Sequence, residues 1–160
     1  TNLRIYNYGI GETEGLFNFN ESVETQSSTL VKINYKSNYY KRKKNLLRFF
    51  KKKQDLFFTT KVNIKSLGKF LEEKKIKNVE ILKIDTEGYD FNVIKSLKNN
   101  LGLIEYIYFE HHFHNMLSKD YTFTQVHNFL VNNKFKKVFK TKMFYRKTFE
   151  YIYKNTKYKI

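Results

Sequence analysis

At 160 residues with 41% hydrophobic content, the chain can bury one ordinary core, so one domain is expected and there is no room for two. No apolar run approaches the ~20 residues of a membrane-spanning helix, and the opening TNLRIYNYG lacks the basic and apolar regions of a signal peptide. The absence of cysteine excludes disulfides and thiolate-held zinc, so the chain reads as soluble and cytoplasmic.

In chain order, Leu3 to Tyr8 (LRIYNY) reads as a strand, Gly9 to Gly15 as a turn, and Leu16 to Asn20 (LFNFN) as an edge strand. The glycines of GIGETEG resemble a phosphate loop. That motif needs a helix after it to supply free N–H groups, whereas LFNFN alternates like a strand, and Glu12 and Glu14 would repel a phosphate. Glu21 to Lys36 is polar and partly extended.

Net charge is +16, and residues 36–53 carry nine Lys or Arg and no acid, so one segment makes the basic patch. Proline is absent and Lys, Asn, Ile, Tyr and Phe are heavily used, a bias that weakens arguments from charge alone. Tyr39, Tyr40, Leu46, Leu47, Phe49 and Phe50 interleave the cations, and Leu46, Leu47 and Phe50 share a helical face. Such a helix could meet an anionic membrane or a nucleic-acid backbone, or it could be a solvated insertion whose apolar residues pack on the domain. Both readings place 36–53 outside the chemistry.

Lys61 to Ile64 predicts a strand, followed by a helix capped by Ser66 with Leu67, Phe70 and Leu71 on its buried face. Val79, Ile81, Leu82 and Ile84 then form an apolar run suited to a strand buried on both faces. Asp85 falls at that strand's carboxyl end, where ligands bind in open α/β sheets. Val93, Ile94, Leu97 and Leu101 recur at helical spacing, so a helix should start near Gly88 with Glu87 beside its positive end. Ile104 to Glu110 is nearly all apolar and belongs inside a sheet. Thr122 to Gln125 has the spacing of a capping box and opens a helix with Phe123, Val126 and Leu130 inward. Phe135 to Tyr145 and Phe149 to Tyr153 alternate and predict a closing antiparallel hairpin.

Lys83-Ile84-Asp85-Thr86-Glu87-Gly88 resembles the K-I-D-x-E-G signature of the FkbM family of S-adenosylmethionine-dependent methyltransferases. The flanking elements Val62 to Leu71 and Ile104 to Glu110 are similar in order, although Gly68 stands where the family usually has Asp. The resemblance implies an α/β chain with a class I, Rossmann-like sheet closed by the hairpin. It implies that Leu3 to Tyr8 is the third strand of that sheet. The first two strands, with the glycine-rich donor loop, would then be lacking, making residues 1–160 a single, N-terminally truncated domain, the C-terminal part of the enzyme and expected to be inactive alone.

The resemblance further implies S-adenosylmethionine as cofactor, with Gly9, Asp85 and Glu87 as candidate cofactor-binding residues, and methyl transfer to a hydroxyl of a sugar or secondary metabolite. Asp85, Glu110 and His112 are the candidate catalytic residues, since an acceptor hydroxyl must be aligned and lose its proton to a carboxylate or imidazole. If alternation persists through Glu110-His111-His112-Phe113-His114, then Glu110, His112 and His114 point together toward Asp85. That cluster reads as a pocket rim, as solvated loop histidines, or as a carboxylate-imidazole metal site without a recognised spacing, and no metal is assigned. Asp85 and Glu87 could also serve only as helix-start acids. The rival class is a non-catalytic methyltransferase-like module that binds nucleic acid or anionic membrane through 36–53.

Overall fold

The computed structural model describes residues 3–23, 27–50, 56–144 and 146–158, without the side chains of 47–50. The elements are β1 (Gly9–Ile10), β2 (Gly15–Ser22), β3 (Lys32–Ile33), α1 (Asn38–Phe50), β4 (Phe57–Lys65), α2 (Leu67–Glu73), β5 (Val79–Ile84), α3 (Asp90–Lys95), β6 (Ile104–His112), β7 (Leu117–Ser118), α4 (Phe123–Asn132), β8 (Phe135–Lys142) and β9 (Thr148–Asn155). A 3-10 turn, Lys98–Leu103, joins α3 to β6.

The largest sheet has the order β5-β6-β9-β8, with β5 parallel to β6 and β9 antiparallel to both β6 and β8. The predicted hairpin is therefore present, with a register shift between Lys137 and Phe139; Tyr145 and the side chains of Leu47, Phe49 and Phe50 lie outside what is described. A second sheet has the order β1-β4-β2, and β3 pairs with β7. The chain is thus a mixed α/β fold with several sheets.

The main core lies between the four-stranded sheet and helices α2, α3 and α4. Ile94, Leu97, Ile104, Ile107 and Leu130 are fully buried there, and Tyr151 and Tyr153 from β9 lie with Phe109 in stacked pairs. A smaller core of Val31, Ile33, Tyr40, Leu56, Phe57, Met116 and Leu117 fastens α1 to β3, β4 and β7. Ser37 starts α1, its hydroxyl accepting from Tyr40 N–H at 3.1 Å. At α4 both halves of the Thr122–Gln125 capping box form.

Four expectations need correction. Leu3 to Tyr8 is not a strand: only Gly9 and Ile10 join a ladder, beside Ile64 and Lys65. Without a neighbouring strand among the described residues, the alternation has nothing to pair with; Tyr6 and Tyr8 lie against Phe70 instead, while Leu3 and Ile5 are exposed. Second, β5 is not buried on both faces, for Ile81 is 66% exposed; β5 is an edge strand, and its outer face is uncovered among the described residues. Third, Ser66 stands at the start of α2 but its hydroxyl makes no cap. It donates to Ser96 O at 3.0 Å, tying α2 to the end of α3. Fourth, the helix after KIDTEG starts at Asp90 rather than Gly88 and gives way to the 3-10 turn at Lys98, whose φ is 49°.

Gly68 has a packing reason. A Cβ there would lie 2.8 Å from Leu97 O and 2.9 Å from Ser96 O, so only glycine lets α2 approach the end of α3 this closely.

Candidate functional site at the carboxyl ends of β5 and β6

The KIDTEG segment turns sharply after Ile84. Glu87 takes φ 49° and Gly88 φ 93°, and a Cβ on Gly88 would lie 3.0 Å from the Leu117 side chain. Side chains from other elements hold this turn: the Thr29 hydroxyl donates to Glu87 O at 2.8 Å, and the Tyr121 hydroxyl donates to Gly88 O at 2.9 Å. Gly88 N–H donates to Asp90 Oδ2 at 3.0 Å. The result splits the two acids of the motif. Asp85 remains exposed, with Lys83 Nζ 3.6 Å from its carboxylate, whereas Glu87 is turned inward with a side chain only 12% exposed.

Strand β6 keeps its alternation through His112. His111 points to the far side, against Phe113, Tyr121 and Phe123, with Lys119 Nζ 3.1 Å from its Nε2. Glu110 and His112 point to the KIDTEG side, both buried, and His114 follows with its ring 5.2 Å from that of His112. His112 Nδ1 lies 2.9 Å from Thr148 Oγ1 on β9, and its Nε2 lies 3.4 Å from Glu87 Oε2. That last approach is a contact rather than an aligned hydrogen bond: among the described residues, His112 Nε2 has no hydrogen-bond partner.

Burial sets the protonation of the pair. Desolvation, with His114 and Lys119 as nearby positive or potentially positive groups, pushes the His112 imidazole down to about 3, so it is neutral at ordinary pH. Desolvation and the neighbouring Glu110 raise Glu87 to about 7. Glu110 is itself raised by burial and by Asp85. Glu87 therefore exchanges its proton near neutrality, a property suited to acid-base work.

Three cavities run along these strand ends. A 350 Å³ cavity is bounded by Tyr6, Tyr8, Gly9, Phe19, Val62, Asp85, Thr86 and Tyr89. Asp85 and Ser28 are shared with a 760 Å³ cavity that also has Glu87, Glu110, Arg146 and Glu150 on its walls. Glu87 and Arg146 are shared in turn with a 460 Å³ cavity that contains His112, His114, Tyr39, Arg42, Lys43, Lys147 and Thr148. The structure thus brings Gly9 to Asp85 and brings Glu87 to Glu110 and His112, with the motif's acids at the two junctions. Among the described residues, no three His, Asp or Glu side chains gather as a metal-holding group.

A family model, the Methyltransferase FkbM domain, matches residues 1–137. The chain belongs to this family. Comparison with curated proteins and with solved structures yields no significant match. Membership makes this FkbM domain a methyltransferase-family chain, and the matched residues include the whole KIDTEG turn and β6, while Arg146 and Thr148 lie beyond them.

Sequence reasoning missed two features of the FkbM domain's site. Asp90 is 1% exposed, its Oδ1 has no hydrogen-bond partner among the described residues, and burial raises it to about 7. By position it is an ordinary first-turn helix acid, and only its packing under Tyr121 and Gly88 distinguishes it. The second is α1: its Tyr39, Arg42 and Lys43 help form the His112 cavity, so the basic segment is not remote from the acids. The alternation of Tyr39 and Tyr40 with cations was the available signal, since Tyr40 is buried and Tyr39 stacks on His114 at 4.1 Å. Among the described residues, no helix is long and apolar enough to cross a membrane.

Proposed function

We propose that this FkbM domain transfers a methyl group from S-adenosylmethionine to a hydroxyl of a sugar or similar metabolite, on a class I sheet within one methyltransferase domain. The strand order β5-β6-β9-β8, with β9 antiparallel between β6 and β8, supports that sheet. The observation that carries the reading is the junction at Asp85, which joins an aromatic-walled cavity to an acidic one.

The residues fit the cofactor. The 350 Å³ cavity offers Tyr8, Gly9, Val62 and Tyr89 as an aromatic and apolar bed for a nucleoside, with Asp85 as an acceptor for its hydroxyls. A side chain at Gly9 would collide with Ile64, the would-be Cβ lying 2.6 Å from its Cδ1. When bound, S-adenosylmethionine supplies a methyl on a positively charged sulfur, which becomes a neutral thioether as the acceptor oxygen takes the methyl.

The chain's own residues do the rest. Asp85, Glu87 and Glu110 make the walls beside the first cavity negative, which favours a cationic centre there. His112, held by Thr148, presents Nε2 toward Glu87 and positions an acceptor hydroxyl. Glu87, ionised as pH passes about 7, takes that hydroxyl's proton. Glu110 keeps Glu87 basic by like-charge repulsion.

The test is calorimetric titration of the intact protein with S-adenosylhomocysteine, followed by assay of labelled methyl transfer. Saturable binding is expected, and Asp85→Asn should weaken it by about tenfold, the loss of a charge-assisted hydrogen bond. An intact protein that shows no saturable binding overturns the reading.

A further inference from the structure

The cavity beside His112 is unusual in its balance of charge. Arg42 and Lys43 come to it from α1, and Arg146 and Lys147 come from the connection between β8 and β9. Among the described residues of its walls one carboxyl, Glu87, stands with those four cations, and burial keeps it from ionising fully at neutral pH. A further cavity of 430 Å³ adjoins it, and Tyr39, Arg42, His114 and Lys147 border both. The positive groups therefore lie on a concave surface, some on the outer border and some beside the acids.

The second observation is the orphaned nitrogen. His112 is 3% exposed, its Nε2 has no hydrogen-bond partner among the described residues, and it belongs to the same cavity. A buried polar atom without a partner is costly to keep, so its persistence points to a ligand group that completes it. A hydroxyl does so. A neutral acceptor would satisfy Nε2 but make no use of the Arg42 and Lys147 charges, whereas a molecule with both a hydroxyl and an anionic group uses both ends of the cavity.

We propose that the acceptor is an anionic small molecule, whose carboxylate or phosphate is held by Arg42 and Lys147 while its hydroxyl meets Glu87 and His112. This rests on the methyltransferase reading given above. Arginine's planar fork matches both anions in bidentate fashion, and Lys147 adds a point charge. The cavity's 460 Å³ suits a monosaccharide-sized group, in the range where small-molecule sites fall. A polyanion such as a membrane surface would instead be expected to meet cations on an outward helix face. Arg42 of the basic segment is thus assigned to acceptor recognition.

The experiment uses the intact protein with S-adenosylhomocysteine present. Glucose, glucuronate and glucose 6-phosphate are titrated separately while the ring-proton resonances of His112 and His114 are followed. At least one acidic sugar should bind about tenfold or more tightly than glucose and shift the His112 resonance, since one good charged contact is worth about that factor. The two acids distinguish carboxylate from phosphate. Arg42→Ala with Lys147→Ala should bring the acidic sugars down to glucose's affinity, while Arg42→Lys with Lys147→Arg should retain a preference. Bound S-adenosylhomocysteine with no preference for either acid overturns this inference and leaves the methyltransferase reading standing. Failure to bind S-adenosylhomocysteine overturns both. Phosphatidylserine vesicles that bind the protein when neither acid does would make α1 a membrane contact and refute the proposal.

Discussion

Glu87 owes its place to a backbone conformation most side chains avoid. A φ of 49° costs a non-glycine residue roughly 1–2 kcal/mol, and the hydroxyls of Thr29 and Tyr121, each worth about 1 kcal/mol as hydrogen-bond donors, offset it. The turn that results places one acid outside and the other against His112, which no regular helix start would do. If Glu87 takes the acceptor's proton, kcat/KM should rise with pH through about 7, because only the ionised form accepts. Glu87→Gln should lower kcat by at least about a hundredfold and remove that rise, while Glu110→Gln should move the rise to lower pH by removing a like charge. A pH-rate profile of the three proteins checks this, and an unchanged rise in Glu87→Gln would exclude it as the base. Asp90 works on the same turn from beneath. Asp90→Ala leaves Gly88 N–H without its acceptor and should destabilise the fold by about 1–3 kcal/mol in urea denaturation at pH 7, whereas Asp90→Asn retains an acceptor and should cost less.

Contacts between elements decide how the turn is supported, and glycines test them cleanly. A methyl at Gly68 would press on the carbonyl oxygens of Ser96 and Leu97, which are backbone atoms and cannot swing aside. Gly68→Ala should therefore cost about 1–3 kcal/mol by forcing α2 from α3, as overpacking does. At Gly102 a Cβ meets nothing within 4 Å, so Gly102→Ala should be neutral or stabilise by about 0.4–1 kcal/mol through the unfolded chain. Equal effects in denaturant midpoints would refute the packing argument. The same contrast explains what was legible beforehand. The Thr122–Gln125 box, the β8–β9 hairpin and the inward run Val93, Ile94, Leu97 and Leu101 depend on neighbours a few residues away, and all are present. Asp85 and Glu87 at the strand end, and Glu110 with His112 on one side of β6, followed from alternation. Leu3 to Tyr8 and Ile81 failed because strand identity and burial depend on what lies alongside, and local alternation does not contain that. That Arg42 and His112, some seventy positions apart in sequence, line one cavity is likewise invisible until α1 packs.

At the scale of the molecule, the site concentrates groups whose protonation opposes one another. His111 and His112 are held down to about 3 and His114 to about 4 by burial, so each is neutral in the fold but protonated in the unfolded chain below about 6.5. These three make the unfolded state bind more protons between about 4 and 6.5, so they reduce stability as pH falls. Glu87 and Asp90 act in the reverse sense. Raised to about 7, they remain protonated in the fold where the unfolded chain has already ionised, so their contribution is fully present below about 4 and is lost as pH rises through about 7. Glu110, also raised by burial, works in the same sense, so three carboxyls oppose three imidazoles over overlapping windows and the two slopes largely cancel. Wild-type stability should therefore change gently between pH 5 and 7. The combined variant Glu87→Gln, Asp90→Asn removes one side of the balance, and its stability should fall on acidification more steeply than wild type, by up to about 1.4 kcal/mol per pH unit for each carboxyl removed. Replacing His112 by Gln should tilt the balance the other way, so that stability rises as pH falls. Urea denaturation at pH 5, 6 and 7 of these proteins checks the signs. If the double variant followed wild type, Glu87 and Asp90 would be ionised throughout, and the proton exchange near neutrality that the transfer chemistry needs would not belong to Glu87.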